Sequence, residues 1–387
     1  MHKALIYILA MMMALTACSS SDTTEEPQPG QQKPNMLTIY VYSPENPVLT
    51  RGDVGEVDAT SEESIVKGLK IWVYETQSGK MVGYLDTNET ATLNLSQGAV
   101  YQIPVDDDFA QRKPNVDVYV VANVTAANCG ITAAFTKEST WDYVRDNAKI
   151  EEAYFGLPQP GKTTTLTTSV PSDGLPMSGE LTSQPVVGDA PVLRIGTTSQ
   201  IATVTLTRAV SKLRFVFSNT SGADDLSIRK ITLKEGMIPN VEYLFTNSQQ
   251  LSYNSAVAEL LPNVINPVNT TDKPADYVYN SGTQTAQDYE DLIATGITAN
   301  KLTPVGPIYL RESARRLEGT ITYQVGNKIG TEEVSTATFR MMEAGDFKRN
   351  HSWIVYAYFE GLNGMQVVTV DVKPWVPTSG SHTVYNW

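Results

Sequence analysis

Cysteine and histidine are scarce in this 387-residue sequence, which has two of the former and three of the latter. With so few cysteines, a framework of disulfides cannot hold the fold together. The histidines show neither the HExxH spacing of a zinc protease nor another metal-site cluster, and no Gly-x-Ser-x-Gly turn occurs. These absences argue against a metalloenzyme or a serine hydrolase. We therefore expect no catalytic residues, no metal and no cofactor.

Charge is also sparse, and most of it is negative. Only 18% of residues are charged, and 29 basic against 42 acidic residues leave a net charge of −13. Nucleic-acid binding needs a basic stripe that displaces counterions, so no nucleic-acid partner is expected. Threonine, valine, tyrosine and serine are abundant, which favours extended strands over helices.

A single apolar run occurs, at the N-terminus. It follows Lys3, covers residues 4–14 and is too short to span a bilayer as a retained helix, so it is typical of a signal peptide. Residues 15–18 read Leu-Thr-Ala-Cys, which resembles a bacterial lipobox. We predict a signal over residues 1–18 that ends in lipidation of Cys18 and attaches the precursor to the outer membrane. An ordinary secreted protein with a chance cysteine is the alternative.

Ordered structure is expected to begin after a polar tether at 19–34, because the tether cannot bury a core. Leu37, Ile39 and Val41 then alternate with hydroxyl-bearing residues, the pattern of a strand with one buried face. Residues 43–53 contain two prolines and a glycine and are predicted to be irregular.

Strand signals recur along the rest of the chain and predict an all-β fold of two β-sandwich domains with one or two short helices. The helices are expected within 139–155, where Ser139 or Thr140 caps, and within 285–296, where Gly296 follows the end. A loop-rich break at 185–203 separates the domains. The predicted divisions are 1–18 signal, 19–51 tether and first strand, 52–200 N-terminal sandwich and 201–387 C-terminal sandwich.

Two charged clusters have a functional and a structural interpretation. Asp106, Asp107 and Asp108 offer oxygen ligands for calcium, but they lack the spacing of a calcium loop, and a solvated turn is favoured. The arginines at 311, 315 and 316 form a basic cluster, for which pairing within the chain is favoured over a binding patch.

Three aromatic residues suggest an alternative function, which is glycan binding. Trp141, Tyr143 and Tyr154 would form a sugar-stacking platform if they were exposed, as on a surface glycan-binding lipoprotein. Packing against a helix face or core is the favoured interpretation.

Cys129 is expected to be a half-buried residue rather than a reactive thiol.

Arg51 is the first arginine in the chain and stands in the irregular segment, with Gly52 after it. Extended loops are the preferred sites of proteolysis. An arginine-specific protease acting from the N-terminal side would therefore meet its first site here, although an ordinary surface arginine is the alternative. Cleavage would release everything up to Arg51, including the first strand.

Several short motifs together resemble a known family, the fimbrillins, which are subunits of the type V pili of gut and oral bacteria. The motifs are the lipobox at 15–18, the strand 37–42 followed by 49–52, the strand 68–74, and the segments 175–179, 206–213, 347–351 and 370–375. They cover nearly the whole chain in order.

The resemblance implies two transthyretin-like sandwiches, lipoprotein export and trypsin-like cleavage after Arg51. It also implies that the first strand leaves a groove, which a C-terminal strand from another subunit fills in an extracellular pilus. The candidate donor is the segment 383–387, in which Thr383, Tyr385 and Trp387 alternate with Val384 and Asn386. A last strand of its own subunit is the alternative.

Loss of the first strand would remove the three apolar side chains Leu37, Ile39 and Val41 and expose the groove that had buried them. Burial of each such side chain is worth roughly 1.5–3 kcal/mol, so three contribute about 5–9 kcal/mol before ordering costs. A donor strand would restore this burial and the hydrogen-bond ladder, and contact between different surfaces would be head-to-tail.

Overall fold

Strands dominate the part of the chain that the structure describes. The computed structural model describes residues 35–43, 62–87, 92–95, 97–125, 134–150, 163–165, 170–197, 200–220, 226–239, 241–245, 253, 257–260, 294–297, 302–325, 335–341, 343–361 and 364–372. Within these residues, no helix is both long enough and apolar enough to cross a membrane.

The first half contains twelve strands and two short helices among the described residues. They are β1 (Asn35–Tyr42), β2 (Leu69–Glu75), β3 (Met81–Asp86), β4 (Ala99–Val105), α1 (Asp107–Arg112), β5 (Val116–Ala122), α2 (Trp141–Asn147), β6 (Lys149–Ile150), β7 (Thr163–Thr165), β8 (Met177–Gln184), β9 (Val186–Asp189), β10 (Val192–Ile195), β11 (Thr203–Thr205) and β12 (Thr207–Arg208).

The second half contributes ten more strands to the described part. They are β13 (Val210–Asn219), β14 (Leu226–Leu233), β15 (Glu242–Tyr243), β16 (Val257–Leu260), β17 (Ala294–Ile297), β18 (Leu302–Arg311), β19 (Glu318–Val325), β20 (Ser335–Arg340), β21 (Ser352–Phe359) and β22 (Met365–Val372).

The first sandwich is formed by two five-stranded sheets. In one sheet β1 lies between β4 on one side and β10 and β11 on the other, and β9 pairs with β10. The other sheet has the order β12-β8-β5-β2-β3. Apolar residues from both sheets form one buried core, as expected when alternating faces are packed against each other.

The second sandwich has a four-stranded sheet, β18-β13-β21-β22, and a six-stranded sheet, β20-β19-β14-β16-β7 with β17 on β14. Its core draws on both sheets, from Leu213 and Phe215 on β13 to Ile231 on β14 and Ile321 on β19. The predicted all-β fold of two sandwiches is confirmed. The strands β11 and β12 lie beyond residue 200, yet they pair with β1 and β8 in the first sandwich.

One predicted helix is confirmed. The helix α2 lies within the predicted region, and the Thr140 side chain accepts a hydrogen bond from the Tyr143 N–H at 3.2 Å, which caps the first turn. The helix predicted for 285–296 is wrong where the structure describes it, because β17 is a strand at Ala294–Ile297. Its Ile297 is fully buried in the second core opposite Leu226, so pairing decides the conformation over local propensity.

The loop predicted across 185–203 is also wrong. The strands β9 and β10 form an antiparallel hairpin there, with Val186 opposite Ile195 and both buried in the first core. The proline and glycine of this segment are compatible with the hairpin, because Pro191 lies in the turn and Gly188 takes a positive φ of 96° within the ladder. Leu93 forms an isolated antiparallel bridge with Val66.

Candidate functional site

The strand β1 forms from an alternating sequence and occupies the centre of its sheet. Leu37, Ile39 and Val41 are each 0% exposed and belong to the core of the first sandwich. They share one face because successive residues of a strand point to opposite sides. The structure thus brings together the three residues predicted to form the apolar face of a removable strand.

Hydrogen-bond ladders hold both edges of β1. The strand β4 runs antiparallel on one edge, with Leu37 opposite Ile103 and Val41 opposite Ala99. On the other edge β10 runs parallel beside residues 36–38, and β11 runs parallel beside residues 40–42. Because β4 pairs with β1 in this sheet and not with β10 or β11, removal of β1 would leave a groove with two unpaired edges.

The outward face of β1 makes one specific contact at Tyr40. Its ring lies over Gly98, where a Cβ atom would overlap the ring, and its hydroxyl donates a hydrogen bond to the Gln97 carbonyl. Gly98 also has a φ of 73°, a conformation that strains other side chains. The ring and the turn therefore both require glycine, and we call Gln97 and Gly98 the tyrosine slot.

The remaining predicted site residues lie outside the described residues. The single segment that joins β1 to the rest of the chain on its C-terminal side is 44–61, which contains the predicted cleavage position. Outside the described residues are Cys18, Arg51, Gly52, Thr383, Val384, Tyr385 and Trp387, together with Cys129 and Tyr154.

Beyond this segment the chain is buried almost at once, at Glu63. Glu63 is 0% exposed, and one of its carboxylate oxygens lies 2.8 Å from the Lys212 ammonium. The Tyr309 hydroxyl donates a hydrogen bond to that carboxylate at 2.5 Å. The Arg208 Nε donates to the Glu63 carbonyl at 3.0 Å. We call Glu63, Arg208, Lys212 and Tyr309 the Glu63 cluster.

Burial and the charge of Glu63 act in opposite directions on the two cations. Burial lowers the pKa of Lys212, and it lowers the pKa of Arg208 to about 10, whereas the Glu63 charge raises both. Burial and the same carboxylate both raise the pKa of Tyr309, which stays a hydrogen-bond donor. A buried carboxylate that lies beside two buried cationic side chains is costly to remove. The Glu63 cluster therefore fixes the chain just after the segment that contains Arg51.

A second buried group of charges holds β15. The Arg349 guanidinium donates to the carbonyls of Tyr243 at 2.6 Å and Leu244 at 3.0 Å. It also pairs with the Glu242 carboxylate and, at 2.8 Å, with Glu312. Burial raises the pKa of Glu242 well above its usual range, while for Glu312 burial is outweighed by Arg349 and the pKa is lowered.

The segment that Arg349 holds packs against the outer face of the first sandwich. The strand β15 pairs with β6, so that Glu242 is opposite Ile150. Phe245 packs edge-on against Tyr119 and Trp141, with ring centroids 5.2 and 5.7 Å away. These contacts join the two sandwiches without using β1.

The two charged clusters identified in the sequence have structural roles. Asp106, Asp107 and Asp108 are exposed, as favoured from the sequence, but they form the N-cap and first turn of the helix α1 rather than an irregular turn. Carboxylates favour a helix start because they face its positive end. Asp107 accepts a hydrogen bond from Asn35 on β1 at 2.6 Å.

The arginine cluster binds backbone carbonyls of its own chain, as favoured from the sequence. Arg311 donates to Pro239, Arg315 to Gly236 at 2.7 Å and Arg316 to Met341 at 2.6 Å. Across the described ranges, no group of three or more His, Cys, Asp or Glu side chains has the geometry to hold a metal ion.

The aromatic platform is used for packing. Trp141 stacks on Tyr119 with centroids 3.6 Å apart and planes 11° from parallel. Tyr143 packs edge-on against Phe135 at 6.0 Å. One face of Trp141 is therefore covered by its own chain, which disfavours the sugar-stacking interpretation.

The Glu63 cluster is not evident from the order of residues in the chain. Its available signal was Lys212 and Arg214 among the apolar residues Leu213, Phe215, Val216 and Phe217 of the stretch that becomes β13, where every residue is buried. A charged side chain in a strand buried on both faces requires a partner. The partner, Glu63, is 149 residues away in sequence, so strand patterns do not identify it.

Comparison with known proteins identifies the family. The family model for the major fimbrial subunit protein (FimA) matches residues 47–288, more than half of the chain. The chain belongs to this family. It is a fimbrial subunit, a structural protein rather than an enzyme, and its place is the cell surface in a fimbria assembled with homologous subunits. No curated protein matches it in sequence.

Solved structures of a fimbrial tip protein, a putative cell adhesion protein and a fimbrilin are similar to this chain. The C-terminally truncated tip fimbrial protein Mfa3 from Porphyromonas gingivalis has a TM-score of 0.50 and 12% identity, covering 88% of this chain and 100% of its own. A putative cell adhesion protein from Parabacteroides distasonis has a TM-score of 0.49 and 13% identity, covering 90% and 99%. A fimbrilin from P. gingivalis W83 has a TM-score of 0.45 and 14% identity, covering 90% of this chain and 99% of its own.

Proposed function

We propose that this fimbrial subunit is exported as a lipoprotein on Cys18, is cleaved after Arg51 by an arginine-specific protease, and polymerises by donor-strand exchange. The C-terminal segment 383–387 of another subunit would then replace β1. The observation that carries the proposal is that β1 is a central strand with a fully buried apolar face, joined to the C-terminal remainder of the chain only through 44–61. One cut in that segment separates β1 from everything C-terminal to it.

The energetics of β1 suit a strand that is first needed and then replaced. Its three inward side chains contribute roughly 5–9 kcal/mol of burial before ordering costs, which keeps the precursor closed. The groove that β1 would leave has unpaired edges on β4, β10 and β11, to which another strand can add. Because groove and donor are different surfaces, the contact repeats head-to-tail and builds a filament.

The Glu63 cluster, which lies C-terminal to the predicted cleavage position, also supports the proposal. Cleavage after Arg51 would leave a new N-terminus at Gly52, with Glu63 eleven residues farther on. Since Glu63 is buried and paired with Lys212, the loss of β1 need not loosen the later strands of the sheets. The lipid would leave with β1, and neighbouring subunits would retain the chain in the fimbria.

A protease experiment tests the processing step. Purified precursor is treated with an arginine-specific protease, and we expect a new N-terminus at Gly52 and a ladder of polymers on a denaturing gel without boiling. Arg51→Lys keeps the charge but removes the protease site, so it should stay monomeric. Polymerisation of Arg51→Lys at the wild-type rate would overturn processing at Arg51.

A truncation tests the donor step separately. A chain ending at Ser381 lacks the donor but retains the cleavage site, so it should be processed normally and fail to polymerise alone. Mixed with wild type, it should still accept a donor strand and terminate growing chains, which shortens the ladder. Normal polymers of the truncated chain alone would show that 383–387 is not the donor.

A further inference from the structure

We propose that Tyr385 of the incoming strand enters the tyrosine slot that Tyr40 occupies in the precursor. The donor then runs in the direction of β1, parallel to β11, with Val384 in the place of Ile39. This inference rests on the proposed donor-strand exchange and adds its register, its direction and a specificity contact.

The slot is a built feature of the groove wall that β1 does not carry away. Gln97 and Gly98 immediately precede β4 and remain when β1 leaves. The slot offers a flat surface without a side chain at Gly98 and a carbonyl acceptor at Gln97. A planar ring with a hydroxyl at its tip matches both, so the groove selects tyrosine at one position of whichever strand fills it.

The C-terminal segment repeats the pattern of β1 around that tyrosine. Residues 38–42 read Thr-Ile-Tyr-Val-Tyr, and residues 383–387 read Thr-Val-Tyr-Asn-Trp. In the same direction, threonine matches threonine, a β-branched residue matches another, tyrosine matches tyrosine, and an aromatic residue comes two positions later. This alignment places Tyr385 at the slot and Val384 in the central pocket that holds the fully buried Ile39.

A shift of one residue is the strongest competing register. It would turn Thr383, Tyr385 and Trp387 inward, because a one-residue slip reverses both faces of a strand. The pockets there hold Leu37, Ile39 and Val41, so two large aromatic rings would overpack them. The Tyr385 hydroxyl would also be buried in an apolar core, and the slot would stay empty.

Reversal of the strand is the other alternative. With Tyr385 still in the slot, a reversed donor places Asn386 in the central pocket of Ile39, where an amide has no partner among apolar side chains. At the position of Val41, which is as fully buried as Ile39, Asn386 would be equally unpaired, so the amide disfavours both directions. The forward direction is favoured by the sequence match around Tyr385 and by Val384 in the central pocket. It also places His382 at the position of Leu37, so its inward face is less apolar than that of β1. The outward contact of Tyr385 is therefore the main source of selectivity.

Engineered disulfides test the register and direction of the donor strand in the groove. On β1, Thr38 lies opposite Gln102 of β4, and cross-strand neighbours are within reach of a disulfide. In a Cys129→Ser background, Gln102→Cys with Thr383→Cys should give polymers whose subunits are covalently linked after mild oxidation. Gln102→Cys with Val384→Cys reports a slipped strand, and Gln102→Cys with Trp387→Cys reports a reversed one. Both controls should stay unlinked.

The outcomes separate the two proposals. Polymers that link through Val384 or Trp387 and not through Thr383 would overturn the register while donor-strand exchange stands. Absence of polymers even in the parent Cys129→Ser chain would overturn donor-strand exchange itself.

The variant Tyr385→Phe gives a second test of the slot. It loses one hydrogen bond and should weaken the association of subunits about three- to tenfold, whereas association at wild-type strength would contradict the slot.

Discussion

The strands β1 and β13 are similar in position but different in how they are held. Each lies inside its sheet, with an antiparallel neighbour on one side and parallel pairing on the other. Each sends apolar residues into the core of its sandwich. The outward side chains differ: β13 carries Lys212, which pairs with Glu63, while β1 carries Tyr40 over Gly98.

The difference separates replaceable interactions from specific ones. Backbone ladders and aliphatic burial can be supplied by any strand of suitable pattern. A buried ion pair can be supplied only by its own partners at their own positions. A strand that is to be exchanged is best held by the first kind, and a permanent strand by the second. The tyrosine slot and the hydrogen bond from Asn35 to Asp107 are small specific additions to the ladders and aliphatic burial that hold β1.

The largest expected effect is on the permanent strand. Glu63→Ala leaves Lys212 buried without its carboxylate, and we expect a loss of about 3–5 kcal/mol in the free energy of unfolding, measured by urea denaturation. The control is Asp86→Ala, which removes the partly exposed pair with Lys70 and should cost under about 1 kcal/mol. Equal losses in the two variants would remove the distinction drawn between β1 and β13.

Much of the fold is predictable because alternation reports burial directly. The apolar face of β1 is evident from residues 37–42, and the hairpin of β19 and β20 from two alternating runs around Gly326. The same reasoning fails at β10 and β17, where pairing with the distant strands β1 and β14 overrides local signals, and at β9, which pairs with β10.

The candidate site is predictable only in its local part. The inward residues of β1 and the arginine in the segment after it are read from neighbouring positions. The Glu63 cluster and the tyrosine slot are not, because Lys212 lies 149 residues from Glu63 and Tyr40 lies 57 residues from Gln97. Contacts between residues so distant in sequence are set by sheet order, which a strand pattern does not specify.

Core truncations sharpen the comparison at a slightly smaller scale. Ile39→Ala and Leu213→Ala should each lower the stability of the precursor by about 2–5 kcal/mol, because both side chains are fully buried. After processing, the Ile39 variant no longer contains its changed strand, so its polymers should match wild type in resistance to heat and detergent. The Leu213 variant should remain weakened. Equal weakening of both polymers would mean that β1 is retained.

Acid should weaken the junction held by Arg349. The lowered pKa of Glu312 stabilises the fold above the ordinary carboxyl value of about 4.3, and this stabilisation is lost as pH falls through the folded pKa. The raised pKa of Glu242 acts at higher pH and in the opposite sense. Glu312→Gln should therefore cost roughly 1.5–3 kcal/mol at pH 7 and progressively less below about pH 4.3. Urea midpoints of both proteins across this range measure it, and a constant difference would contradict the role of Arg349.

The smallest effect tests the Tyr40 contact on the outward face of β1. Tyr40→Phe keeps the ring over Gly98 and removes only the hydrogen bond to Gln97, so the precursor should lose about 0.5–1.5 kcal/mol. Urea denaturation of uncleaved protein measures this loss, and Tyr42→Phe on the same outward face is the matched control. Once β1 has left, the strength of Tyr40→Phe polymers should equal that of wild type, because the slot is then filled from another subunit. A weakened polymer would show that Tyr40 stays in the groove, and β1 would then be as permanent as β13.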